Sequence, residues 1–219
     1  MVLLLRNLGG HSTNNAVNRM EVLDLCTGLG RFSQAFRDKD GGYEVTTLYI
    51  VHPADIIQDL RTFSTTKYND VILASPRYTE FSIVEAIPRR RKPDLIIVQA
   101  CFRIIKEIQP RFWILENPRS CLRHFIGKPA CTINYSDFGY YCKKPTDLLG
   151  NFPIFLGYIP SREIIPINLG TRNPRKWAQI PFRLSLELCK VMERELNEIN
   201  ASSLIKHSLN NKAETEGFY

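Results

Sequence analysis

Three observations predict an α/β fold with a mostly parallel sheet and flanking helices. Short apolar runs recur at 22–25, 45–50, 71–74 and 112–115, as strands do when both faces are covered. Segments with helical spacing separate several of them. The first run, Glu21-Val22-Leu23-Asp24-Leu25, breaks into the glycine turn Cys26-Thr27-Gly28-Leu29-Gly30, the layout of a nucleotide-sized binding site. The turn reads G-x-G and lacks the third glycine of the dinucleotide fingerprint, so a pyrophosphate cofactor is not indicated.

The elements follow in order. Val22, Leu23 and Leu25 form the first strand, and Phe32, Ala35 and Phe36 take up helical spacing over 31–37. Strands are expected over 45–50 and 71–74. A long helix is expected over 94–108, with Pro93 at its start and Pro110 beyond its end. A strand over 112–115, a helical turn near 122–126 and a polar-aromatic hairpin around 131–141 come next. The last strong element is an amphipathic helix from 183 to about 198. Right-handed crossovers between parallel strands put ligands at the carboxyl ends of the strands. Residues 7–20 and the tail from about 201 are polar and aperiodic, so flexible segments over 1–20 and 201–219 are expected around one domain over 21–200.

A chain of 219 residues with 44% apolar content is the size of one such domain. The apolar start, Met1 to Leu5, is cut short by Arg6, so neither a secretory leader nor a membrane span is expected, and the protein is expected in the cytoplasm. The six cysteines form no C-x-x-C pair, and neither disulfides nor a metal site is expected. The net charge of +7 and pI of about 9.1 favour a polyanionic partner. Basic residues cluster at 89–92, at Arg119, Arg123 and Lys128, at Lys143-Lys144, and over 172–176, with Phe138, Tyr140 and Tyr141 beside the third cluster, as on a phosphate-tracking surface.

The residues after each strand carry the candidate chemistry. Tyr49 stands at the end of the second strand, where nucleoside-binding folds commonly place an acid for ribose hydroxyls. Asp59 could accept a hydrogen bond from an adenine amino group, or cap its own turn. Ser75-Pro76-Arg77-Tyr78 and Glu116-Asn117-Pro118-Arg119 place polar side chains at the mouths of apolar strands. Partial desolvation there raises a carboxyl pKa and would let Glu116 donate to a heterocyclic nitrogen, the alternative being an ion pair with Arg119 or Arg123.

Taken in order, VLDLCTGLGRFSQAF, ASPRYTEFS, WILENPRSCLRHF, the hairpin with KKPTDLLGNFP, and IPFRLSLELCKVMERE resemble the motifs of the DNA cytosine-5 methyltransferases, especially compact phage- and archaeal-type members, over roughly 21–197. The resemblance implies a Rossmann-like methyltransferase fold, S-adenosylmethionine at the glycine loop, and a base flipped out of double-stranded DNA. It implies cofactor contacts from Asp24, Leu25, Gly28, Gly30 and Phe32, with Asp59 near adenine, and Glu116 at cytosine N3. Arg77, Arg119, Lys143 and Lys144 are the corresponding DNA contacts. A monomer in the cytoplasm of a phage-infected or prokaryotic cell is expected.

Departures accompany the match. The family reads P-P-C where this chain has Pro76-Arg77-Tyr78, and the missing cysteine is the nucleophile that attacks cytosine C6. A tyrosine hydroxyl, with an ordinary pKa of about 10, is a poor substitute for a thiolate. A relocated cysteine such as Cys101 or Cys121 is one remedy, and a centre that binds without transferring is another. A third reading takes Ser75, Pro76, Arg77 and Tyr78 as one substitution from the S-P-P-Y motif of amino-methyltransferases, which act on N4 of cytosine or N6 of adenine. Only about 153–174 is available for target recognition, so sequence discrimination should be weak.

Overall fold

A computed structural model describes residues 19–39, 43–51, 53–77, 94–153 and 178–216. Seven strands form one sheet: β1 (Glu21–Leu25), β2 (Glu44–Tyr49), β3 (Ile56–Ile57), β4 (Val71–Ala74), β5 (Phe112–Pro118), β6 (Cys131–Asn134) and β7 (Pro145–Asn151). Their order is β3-β2-β1-β4-β5-β7-β6. From β3 to β5 the pairings are parallel, and β7 runs antiparallel to both neighbours. The order 3-2-1-4-5 is that of the dinucleotide-binding sheet; the difference is the reversed β7 wedged between β5 and β6. This is the Rossmann-like, mostly parallel architecture the sequence predicts.

Alternation along the strands divides the core between two faces. Val22, Leu73 and Ile114 face α1 (Gln34–Arg37) and α4 (Phe182–Glu216), packing with Phe32, Phe36, Leu184 and Leu188. Leu23, Leu25, Ile72 and Leu115 face α2 (Ile96–Ile108), packing with Val98, Cys101 and Ile104, and Ile126 of the short α3 (Arg123–Ile126) packs on the same side. Asp94 accepts the amide of Ile96 at 2.9 Å, which opens α2 two residues later than its apolar period predicts. Four-residue α1 is too short to stand alone. It is fastened by Ser185 of α4, whose Oγ donates to the Phe32 carbonyl at 2.6 Å and accepts the Ala35 amide at 3.2 Å.

The final helix and the hairpin differ from the sequence reading. The final helix runs to Glu216, well beyond 198. The expected hairpin places its second strand later: β6 leads into a 3-10 turn, Tyr135–Phe138, and the chain returns as β7. The adjacent polar residues Thr146 and Asp147 hide this strand's apolar period, yet both are buried. Asp147 is satisfied by Arg123, which donates to both carboxylate oxygens, and by Thr132 Oγ1 at 2.7 Å. Gly150 of β7 approaches β5 so closely that a Cβ there would lie 2.0 Å from the Trp113 carbonyl oxygen.

Candidate functional site

The glycine turn is a left-handed corner held by a buried acid. Cys26, Gly28 and Gly30 have φ of 61°, 55° and 68°, which a side chain resists and glycine accepts. The Gly30 amide closes the turn on the Thr27 carbonyl at 2.8 Å. Beneath it, Asp24 Oδ2 accepts Thr27 Oγ1 at 2.8 Å and Ser33 Oγ at 2.6 Å, tying the strand end to both sides of the loop. Oδ1 has no hydrogen-bond partner among the described residues. Burial pushes the Asp24 carboxyl up to about 6, against the lowering effect of the two hydroxyls. Leu25 and Phe32 are fully buried, in the α2-facing and α1-facing cores respectively.

Beside the turn lies a cleft of about 660 Å³, lined among others by Thr27, Gly30, Arg31, Gln34, Thr47 and Asp55. Asp55, in the β2–β3 connection, was not singled out in the sequence. Its Oδ2 accepts the Thr47 amide at 2.8 Å, Thr47 Oγ1 at 2.7 Å and Arg37 at 2.9 Å. Partial burial acts against these bonds, but together they hold the Asp55 carboxyl below the usual carboxylate range. An acid therefore stands in the cleft although Tyr49 ends the strand. Asp59 lies outside this lining: Arg61 binds its carboxylate and holds it down at about 2, and its carbonyl closes the turn through Thr62 and Phe63. The sequence alternative of a turn-capping Asp matches this geometry.

The carboxyl ends of β4 and β5 form the second part. Leu25, Ala74 and Leu115 are in register, so Cys26, Ser75 and Glu116 are the next residues on three adjacent strands. The Ser75 amide donates to the Leu25 carbonyl at 3.2 Å and its hydroxyl to the Cys26 carbonyl at 3.3 Å. Glu116, 5% exposed, lies on the sheet face that also carries Asp24. Its Oε1 accepts the Tyr135 hydroxyl at 2.6 Å. Lys144, 3% exposed, lies over the Tyr135 ring, 4.5 Å from its centroid. Burial raises the Glu116 carboxyl, while the Lys144 ammonium and the Tyr135 hydroxyl oppose the shift; burial lowers Lys144, with Glu116 opposing. The next residue, Asn117, is buried with both amide atoms unpartnered among the described residues.

Glu116 is thus served by Tyr135 and Lys144 and not by Arg123, which is committed to Asp147. Of the expected DNA contacts, Arg77, Arg119 and Lys143 are exposed and Lys144 is internal. Tyr78 lies outside the described residues. Tyr135 and the inward role of Lys144 were also missed; the signal available was a tyrosine and a lysine at the two ends of one hairpin connection. Cys101 and Cys121 belong to the α2-facing side of the sheet, opposite Glu116, and Cys101 is fully buried in contact with Cys26. Neither lies on the face that carries that carboxylate. No helix among the described residues is long and apolar enough to cross a membrane.

No protein-family model matches the chain, and no curated protein matches it in sequence. Among solved structures it is similar to a protein described as a DNA modification methyltransferase encoded within an E. coli prophage, at 15% identity and a TM-score of 0.45, over 59% of this chain and 45% of that one. It is also similar to the Entamoeba histolytica methyltransferase EhMeth, at 11% identity and a TM-score of 0.44, over 63% of this chain and 54% of that one. A third similar structure is the glycopeptide N-methyltransferase MtfA, at 17% identity and a TM-score of 0.31, over 58% of this chain and 65% of that one. The chain thus spans less than two thirds of the length of each.

Proposed function

We propose that this chain is an S-adenosylmethionine-binding protein of the DNA cytosine methyltransferase type whose transfer centre has been altered. The observation that carries the reading is the pair of buried carboxylates on one sheet face, Asp24 under the glycine turn and Glu116 two strands away at the same end. The cleft fits the cofactor: glycine backbone on one wall, the Asp55 carboxylate, steadied by Arg37, for ribose hydroxyls, and Arg31 for a carboxylate. When bound, S-adenosylmethionine supplies an electrophilic methyl group. Asp24 keeps the loop in shape through Thr27 and Ser33. Glu116, held by Tyr135, faces the base and, when protonated, donates to a ring nitrogen.

No thiol on the described part of this face replaces the family cysteine. Cys131, Cys142 and Cys189 share the face, but burial raises each thiol, the reverse of an activated nucleophile. Calorimetry with S-adenosylmethionine, followed by nucleoside mass spectrometry after incubation with DNA and labelled cofactor, tests the proposal. Cofactor and DNA binding without 5-methylcytosine is expected. Absence of cofactor binding overturns the whole reading, and a covalent adduct on 5-fluorocytosine DNA overturns the altered centre.

One observation favours a second reading. Ser75 stands directly beside Glu116 in strand order, where an amino-methyltransferase places the polar group that holds the exocyclic amine. That chemistry needs no thiolate, because the amine itself attacks the methyl group. It requires N4-methylcytosine or N6-methyladenine as product and its loss in Tyr78→Ala.

A further inference from the structure

The loop between the 3-10 turn and β7 lies at the same sheet end as the site. β6 is antiparallel to β7 and so parallel to β5, which brings Tyr135 to Lys144 to the carboxyl edge. A row of three tyrosines runs outward from Glu116. Tyr135 bonds the carboxylate; Tyr140 packs edge-on against Tyr135 at 5.5 Å between centroids; Tyr141 lies against Tyr140 at 4.5 Å. Tyr141 is 47% exposed. Basic residues stand on the neighbouring backbone. Lys143 is two residues on, and the Arg119 amide is fixed to the Pro145 carbonyl at 2.8 Å. The Arg183 side chain passes over Gly139, its Cδ 3.7 Å from where a Cβ would stand. All three basic side chains are exposed, and Phe182, 40% exposed, adds a second aromatic surface.

We propose that Tyr141, with the exposed Arg119, Lys143 and Arg183 on neighbouring backbone, is a stacking platform for an unpaired base of a DNA strand. An exposed aromatic braced by a second ring keeps a fixed orientation, so stacking on it costs little side-chain entropy. The cations neutralise phosphates on either side, in keeping with the chain's charge of +7. A protein face would seldom match this combination, whereas a single strand offers π-faces and phosphates in alternation. The proposal deepens the nucleic-acid part of the function above: the platform receives a base next to the one presented to Glu116.

The test is fluorescence anisotropy of the full-length chain with a labelled single-stranded oligonucleotide and with its duplex, without cofactor. Tighter binding of the single strand is expected. Tyr141→Ala should weaken it about tenfold, equivalent to ~1.4 kcal/mol, and Tyr141→Phe should leave it unchanged. Tyr141→Leu retains an apolar contact with Tyr140 but has no π-face, so it should lose affinity like alanine, and it serves if the alanine variant does not fold. Lys143→Ala and Arg183→Ala should each flatten the salt dependence by about one phosphate. Single-strand affinity within about twofold of the parent in both Tyr141→Ala and Tyr141→Leu overturns the platform, as does equal weakening for the duplex. Because the cofactor is left out, failure here leaves S-adenosylmethionine binding untouched, and failure of cofactor binding leaves this result standing.

Discussion

Asp24 and Glu116 are both buried carboxylates on the same face of the sheet, and their surroundings treat them differently. Asp24 has two hydroxyl donors and an oxygen unpartnered among the described residues. Glu116 has a phenol and a nearby ammonium. Hydroxyls hold geometry without supplying charge, so Asp24 works as a clamp on the loop above it. A lysine supplies charge, so Glu116 can stay ionised or take a proton according to what enters beside Lys144. The same residue chemistry thus gives a fixed part at one strand end and a responsive part at the other.

The difference can be broken from either side. Lys144→Met should have the largest effect, about 4 kcal/mol in urea denaturation at neutral pH, because the buried Glu116 carboxyl loses the ammonium that opposes its desolvation. Adding Glu116→Gln should recover most of that loss; a single Lys144→Met variant as stable as the parent would show the pairing to be idle. Next comes a pH effect at Asp24. With a native pKa of about 6 against 3.8, the folded state binds more protons than the unfolded state between these values. Stability therefore falls as pH rises through that window, by about 3 kcal/mol in total, and the penalty is complete above it. Asp24→Asn should flatten that part of the stability-pH profile.

Tyr135→Phe removes one charge-assisted hydrogen bond, should cost about 2 kcal/mol, and should raise the Glu116 pKa further, visible as a shifted carboxyl resonance in an NMR titration. Ser185→Ala should have the smallest effect, about 1 kcal/mol by thermal denaturation, since it only unfastens α1 from α4. Should Ser185→Ala cost more than Tyr135→Phe, the Tyr135 hydroxyl would contribute less to holding Glu116 than its geometry indicates.

Much of this arrangement was legible in the sequence wherever local pattern and burial agree. The β1 run, its glycine turn, β4, α2 and β5 each carry a period and punctuation that their final environment respects. β7 was not legible, because Thr146 and Asp147 interrupt its apolar pattern and are compensated by Arg123 and Thr132, partners distant in the chain. The site divides in the same way. Asp24, Ser75 and Glu116 stand at or beside the carboxyl ends of β1, β4 and β5, positions that the strand pattern locates. Asp55 depends on a hydrogen bond to a threonine eight residues back on β2, and Lys144 on a fold that turns it inward. Neither partnership has a sequence signal, since each exists only after the sheet has formed.

Gly150 extends the argument to evolution. It touches no proposed ligand, and it pairs with Ile114 while Leu148, two residues before it, pairs with Glu116. Any side chain at 150 would drive β7 away from the Trp113 carbonyl and carry the strand's other end, with Lys144, off its station. The tolerance of this protein to mutation should therefore be uneven in an unobvious way: Arg77, exposed at the mouth of the site, can drift, whereas a glycine at the far end of a strand cannot.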